Sequence, residues 1–290
     1  MKSGFVNIIG NPNVGKSTLL NALVGEKLSI ITPKAQTTRH RMNAVVTREG
    51  YQIIFTDTPG IVDSHSRLHQ NMMASINVAL QDADVYLLVV ETGETLKQPE
   101  IIDKVKVSGK PIVFVINKID LSDQDKVRQQ IEYWREQIPQ ATIIPTSATN
   151  RFGIEAILDA IQQNLPDHAP YYPDDTLTDR NMRFFVSEII RKHILMRYQK
   201  EIPYACEVEV ERFKEERDKD LISVIIYTER ESQKAILLGH HGAAIKQLGI
   251  VSRRDIEIFT GKHCFLEMHV KVLKDWRNDE NALRRFGYED

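Results

Sequence analysis

Lys16 and Ser17 close the run Gly10-Asn-Pro-Asn-Val-Gly-Lys-Ser17, the first place in the chain where residue types and spacing imply chemistry. The run fits G-x-x-x-x-G-K-[S/T], follows an apolar strand and opens a helix, which is the setting this pattern requires. Its glycines let the backbone wrap a polyphosphate, and its N–H groups with the helix N-terminus favour negative charge. Gly10, Asn11, Pro12, Asn13, Val14, Gly15, Lys16, Ser17 and Thr18 therefore form a candidate phosphate site. Lys16 would reach the β- and γ-phosphates, and the Ser17 hydroxyl would bind Mg²⁺.

Three further motifs stand in the order this chemistry needs. Asp57-Thr-Pro-Gly60 ends the apolar run Ile53–Thr56 and puts a carboxylate at a strand tip, on the Mg²⁺ side of the phosphates. The Gly60 N–H can meet a γ-phosphate and be released when it leaves. Asn117-Lys-Ile-Asp120 ends another apolar run and selects the base. Asp120 can accept two hydrogen bonds from N1–H and the 2-amino group of guanine, whereas adenine would leave it facing an acceptor. A site built on a required hydrogen bond rejects the wrong partner by about 10⁴-fold or more. Asn117 would take the N7 edge, the Lys118 stem would cover the ring, and the Ala148 N–H of Ser147-Ala148 would meet O6. The reading is GTP rather than ATP. Between the first two motifs, Thr32–His40 is polar and aperiodic, the expected place for a loop ordered by γ-phosphate and Mg²⁺. Thr38 is assigned the magnesium-bound hydroxyl, with Thr37 as the alternative; the metal set is then Ser17, Thr38 and Asp57.

The residue after Gly60 is Ile61, and no side chain there can polarise an attacking water. In this respect the chain resembles translation-factor-related GTPases, including a potassium-activated subset with Asn where this chain has Asn13. The resemblance implies slow intrinsic hydrolysis, with K⁺ held by Asn13 and carbonyls of the Thr32–Thr38 loop acting in part as an arginine finger would. Lys16, Thr38, Gly60 and Asn13 are the residues expected to act on the reaction.

The elements that must position these groups alternate. Strands are expected at Phe5–Ile9, Ala44–Thr47, Gln52–Thr56, Val85–Val90, Ile112–Asn117 and Thr142–Pro145. Helices are expected at Lys16–Val24, Met72–Gln81, Glu100–Val107, Lys126–Gln137 and Gly153–Asn164. This alternation implies an α/β, doubly wound, mostly parallel sheet whose ligand lies beyond the carboxyl ends of its strands, where all four motifs fall. Three prolines between Leu165 and Asp175 mark a linker. The domains are read as 1–167 and 179–290, joined by residues 168–178.

The second domain has a different rhythm. A helix near Asp179–Tyr198 precedes long strands at Ala205–Phe213 and Leu221–Thr228. A helix–turn–helix unit at Ser232–Leu248, a helix near Ser252–Phe259, a strand at His263–Val272 and an amphipathic end follow. The turn of that unit is Gly239-His-His-Gly242, and such a turn lets N–H groups and helix dipoles clamp a run of nucleotides. Lys234, Lys246, Arg253, Arg254 and Lys262 outnumber Asp255 and Glu257 around it. Lys234, Gly239, His240, His241, Gly242, Lys246, Arg253 and Arg254 are the candidate RNA contacts, the two histidines as hydrogen-bond donors to phosphate. Nothing at suitable spacing supports a metal reading of that pair. A plain helix–turn–helix remains the alternative on local features.

The bulk properties set bounds. At 290 residues, 42% hydrophobic and 27% charged, the chain reads as two globular domains rather than a disordered or fibrous polymer. Net charge is −2 and both parts are nearly balanced, so an RNA site must be a local patch rather than a global field. The apolar runs have strand length, far short of a bilayer span, and no signal peptide is read at the start. The only cysteines, Cys206 and Cys264, form no metal spacing and suit a reducing cytosol.

Taken whole, the chain resembles the Era family of bacterial GTPases. The most specific stretches are Gly10–Asn21, Lys34-Ala-Gln-Thr-Thr-Arg-His-Arg41, Phe55–Gly60, and Ile236–Ile258 with Arg253-Arg254-Asp-Ile-Glu257. The resemblance implies a P-loop GTPase domain followed by a smaller α+β type II KH domain. It further implies binding of GTP, GDP and Mg²⁺, and of the single-stranded 3′ end of 16S rRNA during 30S assembly. Family members usually carry basic residues between the two glycines, where this chain has His240 and His241. A cytoplasmic monomer is expected; weak peripheral association with the inner face of the membrane is a family trait for which the sequence shows no amphipathic anchor. Two rival functions stand beside this reading: a GTP-liganded RNA-binding scaffold without turnover, and a tRNA-modifying GTPase, for which no extra catalytic motif is present.

Overall fold

The computed structural model describes residues 1–34, 36–60, 66–95 and 99–288. Ile61 and Ala35 of the motif segments lie outside the described residues. The chain divides into two compact units, Met1–Asp63 with Met72–Asp179, and Ser64–Asn71 with Arg180–Asp290.

In the first unit the elements run β1 (Lys2–Gly10), α1 (Lys16–Val24), β2 (Met42–Arg48), β3 (Tyr51–Asp57), α2 (Arg67–Asp82, whose first residues up to Asn71 cluster with the second unit), β4 (Val85–Glu91), α3 (Pro99–Val107), β5 (Ile112–Asn117), α4 (Gln124–Gln137), β6 (Thr142–Pro145) and α5 (Ile154–Asn164). The sheet order is β2-β3-β1-β4-β5-β6, with β2 antiparallel to β3 and every other pair parallel. Ile76 and Leu80 of α2, Ile101 and Val105 of α3, and Trp134 of α4 pack on Leu88, Val90, Phe114 and Ile116. Near-continuous apolar strands such as β4 and β5 follow from cover on both faces. The doubly wound, mostly parallel α/β architecture expected from the alternation is the one present. Helix α1 begins and ends where the sequence places it, because Gly15 and Gly25 flank it in left-handed conformations. Helix α2 begins at Arg67 rather than Met72: its buried row Leu68, Met72, Ile76 continues one turn into polar sequence.

The segment read as a linker is tied to this unit. Backbone N–H groups of Tyr171 and Tyr172 donate to Gln52 Oε1 at 2.8 and 3.0 Å, and Gln52 Nε2 donates to Tyr172 O at 2.9 Å. Val45 N donates to Leu177 O at 2.8 Å, and Thr178 bridges Ala44, so this stretch covers the outer edge of β2. An uncovered edge would be an aggregation hazard.

The second unit comprises α6 (Met182–Arg197), β7 (Glu207–Glu215), β8 (Asp220–Thr228), α7 (Glu231–Leu238), α8 (Ala243–Thr260), β9 (Cys264–Val272) and α9 (Glu280–Arg285). Strand β8 is central, antiparallel to β7 and parallel to β9. Val186, Ile190 and Ile194 of α6, Leu237 of α7, and Leu248 and Ile256 of α8 close over Val208, Ile222, Val224 and Ile226. The indole N–H of buried Trp276 donates to Ala205 O at 3.0 Å and pins the C-terminal segment to this core.

One expectation fails here. The helices expected to end at Leu248 and restart near Ser252 are one continuous helix, α8. Buried Leu248, Ser252 and Ile256 keep one face of α8 on the core across the expected gap, in which Gly249 lies. Gly249 itself lies against β9, where a Cβ would stand 3.5 Å from Met268 Sδ. No helix among the described residues is long and apolar enough to cross a membrane.

Candidate nucleotide site and Gly-x-x-Gly clamp

The phosphate-loop residues leave the carboxyl end of β1 and turn into α1, lining a cavity of about 450 Å³. Pro12, Asn13, Gly15, Lys16, Ser17 and Thr18 line one side; Thr32, Thr37, Thr38, Gly60 and Lys118 stand around the rest. Gly15 cannot be replaced: its φ is 92°, and a Cβ would lie 2.5 Å from Asn117 Nδ2.

Lys16 is buried, and its ammonium donates to Gly10 O at 2.9 Å and Asn11 O at 2.8 Å. Burial pulls its pKa down to about 8, against the opposing attraction of Asp57. The cation is thus moored to the loop's own carbonyls, at the place where phosphate oxygens would strengthen its charge. Asn11, also buried, donates to Thr95 O at 2.9 Å, and Val14 is fully buried.

Ser17 Oγ and Thr38 Oγ1 lie 3.3 Å apart. Thr37, the alternative, turns inward: its hydroxyl is 2.7 Å from Thr32 Oγ1 and donates to Lys34 O at 2.6 Å. Asp57 is fully buried, and its Oδ2 accepts from Ser29 Oγ at 2.9 Å. Ser17, Thr38 and Asp57 offer only oxygen donors, the set a hard divalent cation such as Mg²⁺ takes. The residues present fit the metal.

At the base end, Asn117 Nδ2 donates to Val14 O at 2.9 Å and Oδ1 accepts from Ala148 N at 3.1 Å. Asn117 thus braces the phosphate loop against the Ser147-Ala148 loop, and because its amide nitrogen carries two N–H groups, this brace is compatible with the N7 contact expected from the sequence. Lys118 sits at φ 61°, and its Nζ meets Glu91 Oε2 at 2.6 Å, which fixes the stem beside the cavity. Asp120 is exposed in a single helical turn after β5. Ser147 is buried, and its hydroxyl accepts from Asn150 N at 3.3 Å. Ser29, Glu91 and the Gln52 clamp were not singled out from the sequence, since their partners are distant in the chain.

In the second unit, Gly239, His240, His241 and Gly242 join α7 to α8 through three residues with positive φ: 68° at Gly239, 47° at His241 and 77° at Gly242. Both histidines are exposed, their rings 4.0 Å apart edge to face. No cluster of metal-type donors occurs among the described residues. Lys234 lies on α7; Lys246 and Arg253 are exposed and two turns apart on one face of α8, with Arg254 adjacent. Lys262, counted with them from sequence, instead pairs with buried Asp220 at 2.8 Å. Asp255 does not oppose the patch as a lone charge, because Lys192 and His193 meet it at 3.1 and 2.9 Å. Leu237 and Leu248 are core, whereas Ile236 is 52% exposed.

Both units are similar to known proteins. Residues 5–118 match the family model "50S ribosome-binding GTPase", and residues 201–277 match "KH domain". The chain is 43% identical to GTPase Era of Syntrophus aciditrophicus over 293 residues, covering 100% of this chain and 96% of that protein. It superimposes with TM-score 0.94, at 36% identity and full coverage of both chains, on a variant of Aquifex aeolicus Era bound to GDP·AlF₄⁻. A second Era structure, in complex with MgGDPNP and nucleotides 1506–1542 of 16S ribosomal RNA, gives TM-score 0.94 at 35% identity, again with full coverage of both. Similarity of this degree along the whole length, together with the two family models, shows that the chain belongs to the Era family of GTPases, with a P-loop GTPase domain and a C-terminal KH domain.

Proposed function

We propose that this GTPase is a Mg²⁺·GTP switch that binds the single-stranded 3′ end of 16S rRNA and assists assembly of the 30S subunit. The observation that carries the reading is full-length likeness to an Era structure holding both MgGDPNP and a 16S rRNA segment. The cavity around Lys16 and the Gly-x-x-Gly turn supply the corresponding groups in this chain.

Each residue has a defined task. The phosphate-loop N–H groups and Lys16 hold the polyphosphate; Ser17, Thr38 and Asp57 hold Mg²⁺. When bound, the metal neutralises charge on the β- and γ-phosphates. Asp120 reads guanine, Lys118 covers its ring, and Asn117 keeps the two flanking loops in register. The Gly60 N–H meets the γ-phosphate, so its loss frees the segment after Asp57. Water is the nucleophile, and the Ile61 side chain that follows Gly60 has no group to orient it, in keeping with slow intrinsic hydrolysis. Asn13, exposed on the cavity rim at φ 67°, is assigned to K⁺. Hydrolysis faster in K⁺ than in Na⁺, and levelled by Asn13→Ala, supports that assignment; equal rates in both salts remove it.

On the RNA side, the Gly239–Gly242 backbone and the N-terminus of α8 hold phosphates, while Lys234, Lys246, Arg253 and Arg254 add charge. Domain boundaries of 1–167 and 179–290, a cytoplasmic site of action and a monomeric state belong to the same proposal. The test is competition binding. A labelled oligonucleotide from the 16S 3′ end should be displaced by its unlabelled copy and not by a scrambled strand of equal length. Equal displacement by both would leave only non-specific electrostatic binding.

A further inference from the structure

The carboxylate of Asp57 is fully buried at the tip of β3, and the hydroxyl of Ser29 donates to its Oδ2 at 2.9 Å. Ser29 belongs to none of the nucleotide motifs. It lies in the loop leaving α1, and it is held by one side chain. Asn21, in the last turn of α1, accepts from Leu28 N at 3.0 Å and Ser29 N at 2.9 Å through Oδ1. Its Nδ2 donates to Ser29 O at 2.8 Å. Both backbone groups of Ser29 are therefore fixed by a single amide, on a residue whose backbone carbonyl accepts the capping Gly25 N–H at 2.9 Å. The hydroxyl keeps only rotation about χ1, and it is turned onto Asp57.

A hydroxyl donating to an ionised carboxylate makes a stronger bond than a neutral pair would. Carboxylates that ligate metals are themselves hydrogen-bonded, and loss of such outer partners weakens metal affinity by roughly 10- to 100-fold. The same loop leads directly into Thr32–Thr38, so the bond also ties the entry of that segment to the tip of β3. We infer that Ser29, clamped by Asn21, is a positioning residue that fixes the orientation of the Asp57 carboxylate for Mg²⁺. This inference rests on the reading that Asp57 serves the metal.

The test is a Mg²⁺ titration of the full chain loaded with a fluorescent GDP analogue. It compares wild type, Ser29→Ala, Ser29→Thr and Asp57→Asn, with melting temperature and metal-free GDP affinity recorded alongside. Ser29→Ala should raise the Mg²⁺ dissociation constant roughly 10- to 100-fold, while Ser29→Thr, which keeps the hydroxyl, restores most of the affinity. Melting temperature and metal-free GDP affinity should stay close to wild type in both. Wild-type Mg²⁺ affinity in Ser29→Ala, with loss in Asp57→Asn, would overturn the role of Ser29 and leave Asp57 as the metal carboxylate. Unchanged affinity in Asp57→Asn would remove the reading itself, and the inference with it. Equal losses in Ser29→Ala and Ser29→Thr, accompanied by lowered melting temperatures, would reduce Ser29 to a structural residue.

Discussion

The hydroxyls of Ser17 and Thr38, one at the start of α1 and the other in the loop before β2, stand 3.3 Å apart. Thr37, the residue just before Thr38, spends its hydroxyl on Thr32 and Lys34 O within its own loop. The two threonines should therefore separate in experiment. Thr38→Ala should weaken Mg²⁺-supported GTP hydrolysis by roughly tenfold or more. Thr37→Ala should change it less, acting through loosening of the loop. Steady-state hydrolysis across a Mg²⁺ series distinguishes them; a larger effect from Thr37→Ala would exchange their roles.

Asn117→Ala removes two internal hydrogen bonds, to Val14 O and from Ala148 N. Each is worth about 0.5–1.5 kcal/mol, so guanine-nucleotide affinity should fall by about 1–3 kcal/mol. Asn117→Asp keeps an acceptor for Ala148 and loses the donor, and should fall between. Calorimetric titration with GDP reads the order of the three proteins.

The two clamp glycines should differ in what they cost. At Gly239 a Cβ would lie 2.6 Å from Ala244 Cβ, on top of a φ of 68°, whereas at Gly242 the nearest atom is 4.0 Å away. Gly239→Ala should destabilise by about 1–3 kcal/mol through strain. Gly242→Ala pays only the left-handed backbone term, about 1–2 kcal/mol. Thermal melting should show the larger drop for Gly239→Ala, leaving Gly242 as the better position for RNA-binding variants.

Burial pushes the thiol of Cys264 up to about 11, and Glu257 adds to the effect. The folded chain keeps a proton that the unfolded chain releases earlier. Its contribution to stability is complete below the ordinary thiol range and is lost as pH rises towards about 11. Alkylation of Cys264 should be slow near neutral pH, since the thiolate is the reactive form. It should speed up as pH approaches that value, and become fast at any alkaline pH once denaturant is added. Mass spectrometry of iodoacetamide-treated protein reads this directly.

The sequence made the chemistry legible where it resides in short motifs. Lys16, Ser17, Thr38 and Asp57 fall where spacing and strand tips place them, because loop geometry there is set locally by glycine and by the β–α alternation. The continuous α8 was not legible, since what keeps it continuous is burial of Leu248, Ser252 and Ile256 against elements distant in the chain. Gln52 and Ser29 were missed for a related reason. Their partners, Tyr171, Tyr172 and Asp57, are distant along the chain, and no periodicity records a hydrogen bond between such elements. Asn117 shows a subtler limit: the residue type pointed to the site, but its bonds to Val14 O and Ala148 N, which hold two loops together, could not be read from the motif.

In the proposed switch, nucleotide state sets RNA affinity. Fluorescence anisotropy of a single-stranded oligonucleotide from the 16S 3′ end, titrated with the full chain in Mg²⁺ and a non-hydrolysable GTP analogue, and again in GDP, measures this. Binding should be tighter in the GTP-analogue state, and Gly242→Asp should abolish it in both states without loss of nucleotide binding. Equal affinity in the two nucleotide states, or binding indifferent to Gly242, would contradict it.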